Sequence, residues 1–249
     1  MSGKLPPGNF GVLQQYLPTE DNSFNDEEEA MTLVLYGHPF SSYTQKALIA
    51  FYENATLFKF RVLGPTAPEN FEALKKLWPI AKFPVLDDEG VVIFEATMII
   101  EHLEIHHAGP VRLIPADPKL ALDVRMMDRI FDNYVMTPMN WIVQDARRPP
   151  EARDAQSVAQ GRALLDTTYR WLNQRMAARV WASGEMFSMA DCAAAPSLFY
   201  ADWAHPISDE FPDLRAYRNR LLARSSFARA VGEARPYRQY FPLGAPDRD

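Results

Sequence analysis

Apolar positions near the start of the chain follow two different periods in turn. Leu33–Tyr36 is a continuous apolar run and predicts a buried strand. Beyond the next turn the apolar positions recur at helical spacing, and one face of this predicted helix carries Thr44, Ala47, Leu48 and Phe51. The stretch Gly37–Lys46 therefore joins a strand directly to a helix.

The following residues predict the rest of a small α/β unit. Phe58–Val62 alternates apolar and charged residues, which is typical of a strand at a sheet edge, and the helix before it implies a parallel pair with a right-handed crossover. A helix follows at 70–78, and two apolar runs at 82–86 and 91–94 predict an antiparallel hairpin. Another helix starts at Glu95 and carries Ala96, Ile99, Ile100 and Leu103 on one face. The predicted order is βαβαββα, with Pro84 at the start of its strand, where the missing N–H need not join the ladder.

The second half of the chain predicts helices and no strand. Two prolines within Leu113–Pro118 indicate a stiff linker. A long helix at 119–147 should be kinked or broken at Pro138, and its predicted inner face is Met127, Ile130, Phe131, Tyr134 and Val135. Further helices are expected at 155–178, after the Ser188–Asp191 capping box, at 214–223 and at 227–233. We therefore expect an acidic tail at 1–30, an α/β domain at 31–108, a linker at 109–118 and an all-helical domain at 119–249.

Composition and charge narrow the possible partners. The net charge is −6 and no Lys/Arg block stands out, which argues against nucleic acid as a partner. The longest apolar runs are far shorter than a membrane span, so we expect no membrane partner. Cys192 is the single cysteine, and residues 1–30 lack the pattern of a signal peptide, so we expect a reducing, cytoplasmic setting.

Histidines offer a weak metal signal. His102 and His106 stand four residues apart on one predicted helix and could chelate an ion, but no carboxylate or thiol completes a site in the sequence. Their position near the negative end of the helix dipole is a simpler explanation. We therefore expect no metal.

The strand-to-helix turn is the strongest candidate for chemistry. A helix that begins straight after a strand presents free N–H groups and the positive end of its dipole, which together can hold an anion. Ser41 and Ser42 place two hydroxyls at this point. The alternative interpretation is that one serine only caps the helix, which is the commonest role of serine there.

The chain from about Thr32 to about Pro242 resembles the cytosolic glutathione transferases, because four motifs of that family occur in it in the same order. They are Phe40–Tyr43 where that family keeps its catalytic Ser, Cys or Tyr, Lys82–Pro84 before a cis-proline, Glu95–Thr97 at the Glu-Ser position, and the Ser188–Asp191 capping box. The omega-like pattern Phe-Cys-Pro-Tyr-x-Gln-Arg is similar to Phe40–Lys46, with Ser41 in place of cysteine. The resemblance implies a thioredoxin-like domain followed by the helical domain.

The resemblance also implies roles for individual residues. Ser41 would stabilise the thiolate of glutathione as co-substrate, with Ser42 and Tyr43 as alternatives. Lys82, the backbone of Phe83 before a cis Pro84, Glu95, and the N–H groups of Ala96 and Thr97 would bind the peptide. Ala96 departs from the family, because the usual serine hydroxyl is missing there.

Two functions follow as expectations. The first is an enzyme that conjugates glutathione to small hydrophobic electrophiles, as a homodimer with Phe94 and Met98 near the partner. The electrophile would then meet the long helix near its Pro138 break, at Tyr134, Met136, Met139 and Trp141, although Met and aromatic residues at helical spacing are usually core. The rival, favoured by Ala96, is a non-catalytic ligand-binding or interaction protein of the same fold.

Overall fold

The computed structural model describes residues 33–249. The acidic tail expected at 1–30 lies outside these residues. No helix among residues 33–249 is both long enough and apolar enough to cross a membrane.

A sheet of four strands forms the centre of the first domain in the described chain, in the order β2-β1-β3-β4. The strands are β1 (Leu33–Gly37), β2 (Lys59–Val62), β3 (Val85–Asp88) and β4 (Val91–Phe94). β1 pairs parallel with β2 and antiparallel with β3, and β3 pairs antiparallel with β4. The predicted βαβαββα order and the edge position of β2 are therefore confirmed, although β3 begins at Val85, so that Pro84 precedes the strand.

Nine α-helices occur within the described residues. Three belong to the first domain, namely α1 (Ser42–Glu53), α2 (Pro68–Leu77) and α3 (Ala96–His106). The other six follow the linker, namely α4 (Pro118–Ile130), α5 (Thr137–Ala146), α6 (Ala155–Met176), α7 (Met189–Ala204), α8 (Pro212–Ala223) and α9 (Ser225–Ala234). Short 3₁₀ turns lie at Pro150–Ala152 and Arg235–Tyr240, and the only extended pairing after the linker in the described chain is an isolated bridge between Trp181 and Gly184.

The helices of the first domain bury the faces that the apolar spacing predicts. Thr44, Ala47, Leu48 and Phe51 of α1 are fully buried. Ala96, Ile99, Ile100 and Leu103 of α3 are buried as well. The two helices pack against each other on one face of the sheet, and this packing sets the distance between their N-termini.

Helix α7 is the centre of the second domain. All of its residues are buried, as expected of a helix that is apolar around its whole circumference. It packs against α1 as well as α4, so one core is continuous between the two halves of the chain. The predicted capping box starts this helix: the Ser188 N–H donates to Asp191 Oδ2 over 2.9 Å, and the Tyr217 hydroxyl donates to Asp191 Oδ1 over 2.6 Å.

The long helix predicted at 119–147, with a kink or break at Pro138, is interrupted just before that proline. A π-helical segment, Phe131–Met136, lies between α4 and α5. Pro138 has no N–H to donate to the carbonyl four residues earlier, and the wider π turn just before it accommodates this loss. The Thr137 N–H donates instead to the carbonyl of Asp132, five residues earlier. Tyr134 lies within this segment and is 51% exposed, so it does not belong to the predicted inner face.

Candidate functional site

The turn between β1 and α1 is held by a short network of hydrogen bonds. A Cβ at Gly37 would lie 2.6 Å from the Thr44 methyl group, so this close approach requires glycine. The Thr44 hydroxyl accepts from the His38 N–H over 3.3 Å, and the Ser41 N–H donates to the His38 carbonyl over 2.9 Å. These bonds fix where α1 begins.

Ser41 is the N-cap of α1. Its Oγ accepts from the Thr44 N–H at 3.3 Å, which is the capping role given above as the alternative interpretation. This role uses a lone pair of the oxygen and leaves the hydroxyl hydrogen available for another acceptor. Capping and donation to a ligand are therefore compatible. Ser42 is the first residue of the helix and is partly buried.

A pocket with a volume of about 160 Å³ opens beside this turn. It brings together six of the residues that the resemblance assigns to glutathione, and two stacked aromatic rings, Trp78 and Phe94, with centroids 4.0 Å apart complete the wall. Its lining is Tyr43, Trp78, Lys82, Phe83, Pro84, Phe94, Glu95 and Ala96. The Phe83–Pro84 peptide bond is cis, as the resemblance implies, and Lys82 is exposed.

The N-terminus of α3 forms another side of the pocket. Glu95 precedes the helix with φ of 65°, a conformation that is costly for a residue with a side chain and persists where the surrounding structure enforces it. Ala96 is buried and presents no polar side chain. The first N–H groups of a helix have no partner within the helix, so this end of α3 offers donors and a positive dipole to an anion.

Thr97 turns away from the pocket, because adjacent helical residues face different directions. Its Oγ accepts from Lys46 Nζ over 2.8 Å and donates to Asp128 Oδ2 over 2.9 Å. Only its backbone N–H remains for a ligand at the helix start. The side chain belongs to a buried ionic network that connects α1, α3 and α4.

We name this group the Lys46 network, consisting of Lys46, Thr97, Asp128, Arg129 and Asp132. Lys46 Nζ lies 2.7 Å from Asp128 Oδ1 and 2.8 Å from Asp132 Oδ2, with 1% or less of the Lys46 and Asp128 side chains exposed. Arg129 closes the network from the surface at 2.5 Å from each carboxylate. Burial and the neighbouring Asp128 charge raise the pKa of Asp132, against the opposing effects of Lys46 and Arg129.

The Lys46 network was missed in the sequence. Lys46 lies among positions that α1 buries, and Asp128 and Asp132 stand four residues apart beside the predicted inner face. A lysine and a carboxylate pair on buried faces of two helices would have been the signal, because buried charges are paired in proteins.

Tyr43 is the one of the three candidate hydroxyl residues that lines the pocket. Its pKa is raised to about 12 by burial, and by the negative charges of Asp132 and Glu95. The hydroxyl is therefore protonated at neutral pH, so it can donate a hydrogen bond but cannot act as a base there.

The four residues predicted for the electrophile do not line this pocket. Met136 and Met139 are buried in the core, at 1% and 3% exposure, as Met at helical spacing usually is. Tyr134 and Trp141 are exposed, at 51% and 42%. Surface therefore remains for a ligand only at the two aromatic residues.

The expectation that no carboxylate accompanies the histidines is wrong. Asp88, at the end of β3, lies within hydrogen-bonding distance of His102 and of His107, not of the predicted pair His102 and His106. The signal was missed because Asp88 and His107 approach only after the hairpin packs on α3.

Comparison with known proteins agrees with this architecture. Residues 35–111 match the N-terminal domain model of glutathione S-transferases, and residues 155–220 match the C-terminal domain model of the same family. Together the two models cover more than half of the chain. The chain belongs to the glutathione S-transferase family.

The curated relatives are distant and carry different names. A stringent starvation protein A homolog of Haemophilus ducreyi is 25% identical over 78% of this chain and 87% of that protein. The glutathione S-transferase hmp2 of Hypomyces subiculosus is 24% identical over 82% of this chain and all of that protein. At this distance the names do not decide the activity.

Solved structures share the fold. A glutathione S-transferase of Methylobacterium radiotolerans, in complex with glutathione sulfonate, superposes with a TM-score of 0.69 at 26% identity, over 80% of this chain and 94% of that one. One from Methylobacillus flagellatus with glutathione bound has a TM-score of 0.72 at 24% identity, over 80% of this chain and 98% of that one.

Proposed function

We propose that this protein is a glutathione transferase that conjugates glutathione to small hydrophobic electrophiles. The observation that supports this most directly is the convergence of Tyr43, Lys82, the cis Phe83–Pro84 bond, Glu95 and Ala96 on one pocket. The glutathione-bound and glutathione sulfonate-bound relatives support the same ligand. Glutathione brings the thiol, and the residues of the chain would position and ionise it.

The peptide would be bound by groups of three kinds. The Phe83 backbone would pair with the cysteinyl backbone in the manner of an added strand. Lys82, exposed beside the pocket, would neutralise the glycyl carboxylate. Glu95 would accept from the ligand's ammonium group, while the N–H groups of Ala96 and Thr97 would donate to the γ-glutamyl carboxylate.

Ser41 would stabilise the thiolate. The free hydroxyl hydrogen of Ser41 can be donated to sulfur while its oxygen still caps α1. The positive end of the α1 dipole favours the same negative charge. Both effects lower the pKa of a bound thiol, and only the thiolate is a strong nucleophile.

Tyr43 would be a second donor rather than a base. Its raised pKa keeps the proton on the hydroxyl at neutral pH, where this group can donate to sulfur or to the electrophile. Ser42, the next residue, is the remaining hydroxyl in this stretch. Substituting the three one at a time separates their roles.

A non-catalytic role in ligand binding or protein interaction is the second candidate. One observation favours it: Ala96 has no hydroxyl to offer to the carboxylate of the ligand. Two of the relatives are named stringent starvation protein A homologs and not transferases. The two functions differ in turnover, which an assay can measure.

The decisive experiment combines glutathione binding with conjugation to chlorodinitrobenzene. Ser41→Ala should raise the pKa of the bound thiol by about one to two units and lower conjugation at neutral pH by roughly ten- to a hundredfold. Glutathione affinity should change little, because the lost bond acts mainly on the ionised form. The pH–rate profile and calorimetry measure the two effects.

Controls distinguish the remaining hydroxyls. Ser42→Ala removes the same hydroxyl group at the neighbouring position and should leave the conjugation rate near that of the wild type. Melting temperatures must be compared, because losing a cap costs ~1 kcal/mol of stability. A Ser41→Ala rate equal to wild type would transfer the role to Tyr43 or Ser42, and binding without turnover by the wild-type protein would favour the non-catalytic function.

We also propose a homodimer in the cytoplasm. Met98 is 47% exposed and Phe94 is partly buried, so both can contribute apolar surface to a partner. Small electrophiles and a second copy of the chain are then its partners. Sedimentation at micromolar concentration should give the dimer mass, and a monomer alone would contradict the proposal.

A further inference from the structure

The C-terminal end of α3 carries a cluster that the proposed function does not use. Within the described residues, Asp88, His102 and His107 form the one group of three His, Cys, Asp or Glu side chains placed to hold an ion. His102 Nε2 lies 2.8 Å from Asp88 Oδ2, and His107 Nε2 lies 2.7 Å from the same oxygen. All three ligand atoms lie within 4.8 Å of one another.

The end of the helix creates this convergence. His102 and His107 are five residues apart, a spacing at which side chains of a continuous helix do not share a face. His107 is the C-cap, with φ of −131° and ψ of 37°, and its N–H donates to the Leu103 carbonyl. The change of backbone direction at this residue turns its ring toward His102, where the β3–β4 hairpin supplies Asp88.

We propose that Asp88, His102 and His107 bind one Zn²⁺ ion. Imidazole nitrogen and carboxylate oxygen are zinc ligands at about 2.0–2.2 Å, and three protein ligands plus water complete a tetrahedral site. Donors around such an ion stand about 3.3 Å apart. The two N–O spacings need to open by only about 0.5 Å, which a small rotation of each side chain provides.

The protonation state of the two imidazole rings allows the ion to replace their hydrogen bonds to Asp88. A neutral imidazole carries its proton on either ring nitrogen, so Nε2 is free to bind the ion when the proton is on Nδ1. The partial burial of the three side chains, at 13% to 28% exposure, leaves room for the fourth ligand to be water. Mixed N and O donors without thiolate suit zinc better than the hard cations Mg²⁺ and Ca²⁺.

The site would clamp the hairpin to α3. It lies at the end of the helix opposite Ala96, and an eleven-residue helix places the two ends about 16 Å apart. The ion would therefore stabilise the first domain without touching the glutathione pocket. Ion binding to the folded state alone should raise the melting temperature.

Titration with zinc chloride of the full chain, freed of metal by chelation and dialysis, tests the proposal. Calorimetry should give one site with a Kd of about 10 μM or tighter. Losing even a group that orients a ligand costs ~10–100-fold in metal affinity, so His107→Ala and Asp88→Asn should each weaken binding by about a hundredfold or more. The zinc-dependent rise in melting temperature should disappear in both variants.

Two matched variants serve as controls. His106→Ala removes the neighbouring ring, which packs against His102 with centroids 4.5 Å apart but belongs outside the cluster. His205→Ala removes another close histidine–carboxylate pair, in which Nε2 lies 2.7 Å from Asp166. Both should bind zinc as wild type does.

Circular dichroism without metal should confirm that all variants fold. Because the two ligand substitutions lie on different elements, failure of one to fold leaves the other as the test. The proposal is overturned by wild-type protein that binds no zinc, by ligand variants that keep wild-type affinity, or by a control that loses as much affinity as they do.

Discussion

Lys46→Met isolates the energetic role of the Lys46 network. Methionine keeps most of the length and volume of lysine but removes its charge. In the folded protein Lys46 Nζ contacts Asp128, Asp132 and the Thr97 hydroxyl, all within 2.8 Å. The substitution therefore leaves two buried carboxylates facing an apolar side chain.

The expected loss follows from this burial. Removing one partner of a buried ion pair costs ~3–5 kcal/mol, because the other charge remains without compensation. Arg129 still contacts both carboxylates and its side chain is 48% exposed, so it continues to neutralise part of their charge. We therefore expect the lower end, about 3 kcal/mol, which for a chain of this size lowers the melting temperature by roughly 6–12 °C.

Urea unfolding followed by circular dichroism measures this free energy. Lys75→Met is the matched control, because its pair with Glu72 is exposed, at 44% and 65%, and should lose less than about 0.5 kcal/mol. Lys46→Met combined with Asp132→Asn restores the charge balance and should recover about 1 kcal/mol or more.

Two results would refute this reasoning. One is a Lys46→Met protein within about 1 kcal/mol of wild type, which would mean that water or Arg129 already compensates the carboxylates. The other is a double variant no more stable than the single one, which would mean that lost packing rather than unbalanced charge causes the effect.

Three further predictions concern the pocket and the helices. Ala96→Ser should tighten glutathione binding by up to about tenfold in calorimetry by restoring a donor to the ligand carboxylate, and weaker binding would contradict the assigned position of that carboxylate. Tyr43 has its pKa raised from 10.0 to about 12, so its contribution to stability is complete below pH 10 and is lost as pH rises through about 12. Tyr43→Phe should flatten this alkaline loss in urea midpoints measured against pH, and an unchanged slope would count against the shift. Gly161→Ala should destabilise the protein by about 1–2 kcal/mol, because the added Cβ would lie 2.9 Å from the Pro138 carbonyl. Gly232→Ala, whose Cβ would meet nothing within 4 Å, should stabilise the protein by up to ~1 kcal/mol in the same unfolding assay. Effects of equal sign in the two variants would contradict the packing described at Gly161.

Features that depend on neighbours in sequence could be predicted. The buried face of α1, the hairpin and the Ser188–Asp191 box each depend on a few consecutive residues, and each was found as expected. The convergence of Glu95 with Phe83–Pro84 came from the resemblance, because no local pattern brings a turn and a helix start together.

Features that depend on packing between residues far apart in the chain could not be predicted from the sequence. Lys46 meets partners 51 and 86 residues away, so its burial is decided only when α1, α3 and α4 assemble. Pro138 alone allowed either a kink or a break, and no local pattern in the sequence selects the π segment that forms before it. Tyr134 lies in that same segment and is exposed, although helical spacing placed it on the inner face.

The π segment lets the chain carry one additional residue before α5 without turning α5. Each residue of an α-helix turns the chain by about 100°, so an additional residue in a regular helix would rotate everything after it by that angle. The wider turn of Phe131–Met136 absorbs this residue, because its hydrogen bonds span five residues instead of four. Loss of one residue from this segment would therefore restore a regular helix and leave buried Ile142 and exposed Trp141 on their present sides of α5. A one-residue alignment gap in this stretch between two relatives marks a change confined to one turn, and the helical surface beyond it is shared.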